Sequence, residues 1–211
     1  MRKTLCIILA LILSLFATGN AELKTVTVKW LELNGKEENG VYENKFLGLG
    51  FSMEGWSRDP DWMCKSDEED SDKADSEETI IDMPEYFMIQ VFEAFTSEER
   101  KNVYITIQHL GENIGEDENE FFVKELMNNR KTFFSERGYE NSWVEYATVN
   151  IGEREYQGMA SFLEINGVSE YSRVAVFIQD HYLVRIEALT KQEDKTEEIF
   201  QHFFELKDSE V

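Results

Sequence analysis

Cysteine is nearly absent from this chain of 211 residues, with only Cys6 and Cys64 present. Proline is as scarce, at positions 60 and 84, and histidine occurs only at 109, 181 and 202. Two cysteines cannot build the disulfide framework on which small secreted domains depend. Two prolines and twelve glycines exclude collagen-like and low-complexity classes. Positive charge is short too: 21 Lys and Arg stand against 43 Asp and Glu, a net charge of −22. Nucleic acid and anionic membrane surfaces are held through basic patches that release counterions, so neither is expected as a partner. Aromatic residues are plentiful instead, with 15 Phe, 8 Tyr and 4 Trp. That is more buriable surface than a disordered chain carries, and the length suits one domain.

The single long apolar run lies at the N-terminus. Arg2 and Lys3 precede Leu5 to Ala17, and the small residues Gly19 and Ala21 follow. A basic start, an apolar middle and a small-residue site are the three parts of a secretory signal peptide, so residues 1–21 are expected to be removed after Ala21. The run is shorter than the ~20 residues that span a bilayer, and no stable membrane anchor is expected after cleavage. The expected location is therefore secreted or in the cell envelope. Cys64 is then the sole thiol left, beside carboxylates that raise its pKa and blunt its reactivity.

Residues 22–40 read as an N-terminal strand, with Val26, Val28 and Trp30 alternating, followed by a polar loop from Asn34 to Gly40. The main domain is expected over 41–211. Its first part, Val41 to Trp56, has β character, with Gly48 and Gly50 marking a bulge or a close backbone approach. Ser66 to Glu78 carries eight carboxylates against Lys73 and is expected to be a solvated, mobile acidic insert. It lacks the Asp-x-Asp-x-Asp-Gly spacing of a formed calcium loop. Tyr86 to Phe95 and Val103 to Leu110 read as two strands, with apolar residues on both faces, which implies a sheet covered on both sides. Phe87, Ile89, Val91 and Phe95 are expected on one face of the first, with Tyr86, Met88, Phe92 and Ala94 on the other. Glu118 to Arg137 reads as a helix, with a stripe of Phe122, Val123, Leu126, Met127, Arg130, Phe133 and Phe134 and Gly138 as terminator. Four strands follow over 142–150, 155–165, 168–180 and 182–189, with Asn166-Gly167 as a tight hairpin turn. A last helix is expected from Asp194, burying Ile199, Phe200, Phe203 and Phe204.

This order resembles the PsbP-like superfamily, which includes the Ran-binding Mog family and a branch of small exported bacterial proteins. The match rests on Tyr42-Glu43-Asn44-Lys45-Phe46-Leu47-Gly48-Leu49-Gly50-Phe51 with Trp56, on Gly152-Glu153-Arg154-Glu155-Tyr156-Gln157-Gly158, and on Tyr182-Leu183-Val184-Arg185-Ile186 leading to Asp194-Lys195-Thr196-Glu197-Glu198-Ile199. It covers residues 41–206. The resemblance implies an α+β fold in which an antiparallel β-sheet is sandwiched between helices (αβα). It implies no common catalytic residue. Photosystem members of the superfamily are extrinsic assembly subunits, and the Mog branch binds a GTPase.

No His-x-x-x-His, His-Glu-x-x-His or paired-Cys spacing is present, so no metal ligands, catalytic residues or cofactors are expected. His109 continues the apolar face of its strand, and His202 is expected to face solvent. The expected function is a monomeric, exported, non-catalytic binding or assembly module whose acidic surface favours basic partners or cations. Its partner is an unknown protein or cationic ligand. The candidate binding residues are Asp67, Glu68, Glu69, Asp70 and Asp72 in the insert and Glu116, Asp117 and Glu118 before the helix. The alternative is a secreted hydrolase using His181, beside Asp180, or a carboxylate pair. N-terminal sequencing of the exported protein should begin at Glu22 or within two residues of it, and retention of Met1 would refute the signal assignment.

Overall fold

The computed structural model describes residues 25–29, 33–58, 80–84, 87–96, 100–111 and 118–206. The signal segment with Ala21 and the acidic insert 66–78 lie outside the described residues. In chain order the first strands are β1 (Thr25–Lys29), β2 (Lys36–Glu38), β3 (Val41–Asn44), β4 (Leu49–Ser52) and β5 (Ile80–Pro84). They are followed by β6 (Met88–Phe95), β7 (Asn102–His109) and helix α1 (Asn119–Glu136). Next come the meander strands β8 (Ser142–Ile151), β9 (Arg154–Ile165), β10 (Val168–Gln179) and β11 (Tyr182–Lys191). A short helix α2 (Thr196–Phe200) and strand β12 (Phe203–Glu205) complete the order.

All pairings are antiparallel. β1 pairs with β5, a six-stranded sheet runs β6-β7-β11-β10-β9-β8, and a four-stranded sheet runs β12-β4-β3-β2. The meander follows from its turns. Asn166 and Gly167 take φ of 54° and 76°, and Asp180 and His181 take 46° and 68°, so each pair supplies the left-handed backbone that a two-residue hairpin needs. α1 ends where expected: Gly138 adopts φ 69°, and the Tyr139 N–H donates back to Phe134 O at 3.0 Å.

The two faces of the large sheet are covered differently. α1 packs on β8, β9 and β10, setting Val123, Leu126 and Met127 against Met159, Val174, Val176 and Ile178. The four-stranded sheet and α2 cover the opposite face, where Phe51, Tyr42, Leu49, Ile199 and Phe203 meet Phe92, Ile105, Ile107, Val184 and Ile186. The expected helix-sheet-helix sandwich is thus corrected: the protein is mostly antiparallel β-sheet, with a helix on one face and a second sheet on the other. The cause lies in the last segment. Ile199, Phe200, Phe203 and Phe204 have helical spacing, but α2 stops at Phe200 and the chain straightens into β12. Alternation along that strand then buries Phe203 and leaves Phe204 37% exposed.

A second correction concerns β6. Its register against β7 slips between Gln90 and Phe92, so Ile89, Phe92 and Ala94 pair with Ile107, Ile105 and Val103 on one face. An extra residue in one strand moves every later side chain across the sheet, and the simple alternation expected for β6 fails at Val91.

Two glycines carry the close approaches. A Cβ at Gly50 would come within 2.3 Å of the Phe204 ring, which lies over it from the directly opposed position on β12. At Gly158 a Cβ would meet the backbone oxygen of Val174 on β10 at 1.8 Å. An exposed ring can swing aside and a central strand cannot. Gly50→Ala should cost about 1 kcal/mol and Gly158→Ala about 3 kcal/mol or more in chemical denaturation. Equal costs would refute this account.

Candidate functional site

Of the eight acidic candidates, Asp67, Glu68, Glu69, Asp70, Asp72, Glu116 and Asp117 lie outside the described residues. Glu118 is described: it is exposed at the start of α1 and makes no side-chain cap to the helix. Glu120, in the first turn, pairs with Lys124 at 2.6 Å one turn on. The described surface adds an acidic edge that composition alone did not single out. β2 is the edge strand of the small sheet, and its residues Lys36, Glu37 and Glu38 are all exposed, with exposed Glu43 on β3 directly opposite Lys36. Arg58 reaches Glu37 at 3.5 Å.

The histidines occupy three different environments. His109 is buried, stacked on Phe87 at 5.8 Å and edge-on to Tyr182 at 5.0 Å, as its strand position implied. His202 is half-buried rather than solvent-facing, between Phe51 and Trp56. Burial and then the Lys101 charge depress its pKa, against an opposing pull from Glu54. His181 is exposed at the β10–β11 turn, where its main-chain oxygen accepts from the Leu110 N–H at 2.9 Å. Among the described residues no three His, Cys, Asp or Glu converge on a metal position. No described helix is long and apolar enough to cross a membrane.

The face of the large sheet that carries α1 changes character across its width. Under the helix it is apolar, whereas β11, β7 and β6 present a polar row. Glu187 on β11 is the centre of that row. It accepts from Arg130 of α1 at 2.8 Å and from the Ser172 hydroxyl on β10 at 2.6 Å. Tyr104 lies opposite it on β7 and Glu93 beyond on β6. Burial, and then the carboxylates of Glu93, Glu187 and Glu170, push the Tyr104 hydroxyl far up, so it stays protonated. One register pair along, Arg185 donates to Gln108 Oε1 at 2.7 Å. The arrangement ties helix to sheet and satisfies its charges internally. Arg130 stood out in the sequence as the one charge in the α1 stripe. Its partner did not, because strand pairing brings Glu187 across from 57 residues away.

Positive charge gathers elsewhere. Arg100, Lys101, Lys191 and Lys195, with Glu193 among them, line a cleft of about 350 Å³ between the β6–β7 turn and the end of β11.

Burial alone would raise the Glu187 carboxyl, but Arg130, Ser172 and Arg185 together outweigh it and hold its pKa below the ordinary 4.5. A depressed carboxylate contributes stability that is fully present above the unfolded value and is lost as pH falls through the folded one. Glu187→Gln should therefore cost about 2 kcal/mol at pH 7, below the range for a fully buried pair because both partners keep some solvent contact. The variant should also lose less melting temperature than the parent between pH 5 and pH 3. A parallel fall in the two proteins would remove Glu187 from the acid response.

Comparison of the chain with protein-family models finds no match, and comparison with curated proteins finds none either.

Proposed function

We propose that the protein is an exported, non-catalytic binding or assembly module whose acidic surface selects a basic protein or another cationic ligand. The carrying observation is the exposed acidic edge of the small sheet. Glu37 and Glu38 project from the edge strand β2, where Lys36 lies opposite exposed Glu43 of β3 and Arg58 reaches Glu37 at 3.5 Å. Carboxylates held on a fixed strand keep their spacing, and summed with a chain charge of −22 they create a field that steers cations towards the edge. The titratable groups of the interior support the same reading, since Glu187 is held by Arg130 and Ser172 within the fold.

The test is affinity capture from the protein's own cell envelope, followed by titration of the captured partner in rising salt. Binding should weaken markedly as the Debye length falls from ~10 Å towards ~3 Å. Glu37→Lys with Glu38→Lys should weaken it further at low salt. Salt-insensitive binding would place the contact on an apolar surface. Turnover of a substrate that disappears in His181→Ala would replace the module with a hydrolase.

A further inference from the structure

Every edge of the two larger sheets is blunted but one. β2 and β12 are three residues long, and β2 is charged along its exposed length. β6 is bulged between Gln90 and Phe92, and at its end Phe95 exchanges two backbone hydrogen bonds with Ser57. Short strands, charges, bulges and covering residues are the devices that stop an edge from recruiting another chain. β8 has none of them. It runs for ten residues, keeps unbroken register with β9, and contains no Pro, Lys or Arg.

Backbone groups along β8 alternate in direction. The Glu164 N–H donates to Asn141 O at 3.1 Å, so Asn141 and every second residue from it to Ile151 face β9. Val144, Tyr146, Thr148 and Asn150 therefore turn their N–H and C=O groups the other way. β8 ends the strand order of the large sheet, and that row meets no further strand. Tyr146, Thr148 and Asn150 are exposed, and so is Trp143 on the opposite face of the strand. Glu145 is the one charge on β8. Glu120 and Lys124, the α1 charges that Tyr146 feels, neutralise each other at 2.6 Å.

We propose that β8 pairs antiparallel with β8 of a second copy, across a two-fold axis at Ala147, so that two six-stranded sheets become one. An outward row of N–H and C=O groups is matched by another extended backbone, and two copies present the same alternation to each other. An axis at Ala147 pairs residues 143–151 with themselves. Tyr146 and Thr148 then exchange backbone hydrogen bonds across it, as do Val144 and Asn150, and the exposed Trp143 ring comes against Ile151. Ala147, the smallest side chain of the strand, stands where the two chains approach most closely. An axis at Glu145 would set two carboxylates face to face, and one at Tyr146 would set them on a diagonal. With the axis at Ala147, each carboxylate faces Val149 instead. Charge selects the occupant. A basic partner would find a single carboxylate on β8, in a chain that carries 43 acidic residues, whereas a second copy brings a matching and nearly uncharged strand. The net charges of −22 still repel, so this pairing weakens at low salt. It uses β8 rather than β2, so its failure leaves the proposed acidic surface standing.

The experiment is sedimentation of the purified protein from about 1 to about 100 μM. A reversible dimer should form and should tighten about tenfold between ~0.05 M and ~0.5 M salt. Hydrogen exchange needs no variant: the amides of Val144, Tyr146, Thr148 and Asn150 should slow about tenfold as concentration rises. Thr148→Pro removes an outward N–H that β9 does not use, so it should leave a folded monomer and weaken the dimer about tenfold or more. Ala147→Cys, in a Cys64→Ser background, should form a disulfide-linked dimer on oxidation by glutathione disulfide, because directly opposed residues of a non-hydrogen-bonded pair lie within disulfide reach. A monomer throughout that range, a dimer in which those four amides are not slowed, or a folded Thr148→Pro variant that dimerises like the parent would each overturn the proposal.

Discussion

Phe51 sits where four side chains meet. Its ring is wholly buried on β4 and lies 4.7 Å from Phe203, 5.2 Å from Trp56, 5.3 Å from Phe92 and 5.6 Å from His202. Through those contacts one residue joins β12 to the loop after β4 and the small sheet to the large one. The strands of the small sheet are three or four residues long, too short to persist unless something packs on them. Burying one such ring contributes about 1.5–3 kcal/mol, a large share of what holds a domain folded. Beside it, Tyr42 stacks on Phe92 at 4.2 Å and donates its hydroxyl to Asn34 O. Burial pushes that hydroxyl up to about 12, and Asn44, itself buried, donates to it and to Leu33 O while accepting from the Leu47 N–H. A buried amide with three partners fixes the path of the chain into β4.

Local chemistry was legible and long-range chemistry was not. Asn166-Gly167, the α1 stripe and Gly138 state their structure within a few residues, and the meander and helix fall within one or two residues of their expected bounds. β2 and β12 have three residues each, too few for a period to emerge from sequence. The helical spacing of the last four aromatic and aliphatic residues is equally compatible with a single turn followed by a strand. The β6 bulge is invisible for another reason: a slip in register depends on the partner strand as well as on the strand itself. The site fared likewise. His109 could be placed from alternation, whereas the meeting of Glu187 and Tyr104 is defined by which strands lie side by side. The acidic segments, prominent in composition, are described only at Glu118.

The charge is also arranged unevenly. Arg100, Lys101, Lys191 and Lys195 gather at one corner with Glu193 among them, whereas Glu37 and Glu38 share a separate edge strand with Lys36. The same corner reaches into the core: Lys101 has a side chain only 12% exposed, and its charge joins burial in keeping His202 neutral between two aromatic rings. Protonation of that imidazole would place a second cation beside an existing one in an aromatic setting.

The strand order also sets the sequence in which the molecule can assemble. β8 to β11 are consecutive hairpins, so each closes a short loop and can form early. β7 joins this meander only by pairing with β11, where residues in contact are 77 apart in the chain. The small sheet waits longest, because β4 is flanked by β12, the last strand of the described chain. Until the C-terminal residues arrive, the edge of β4 stays unpaired and the ring of Phe51 lacks Phe203. A truncated or still-emerging chain would therefore hold a finished meander and an unfinished second layer, with one face of its core open to solvent.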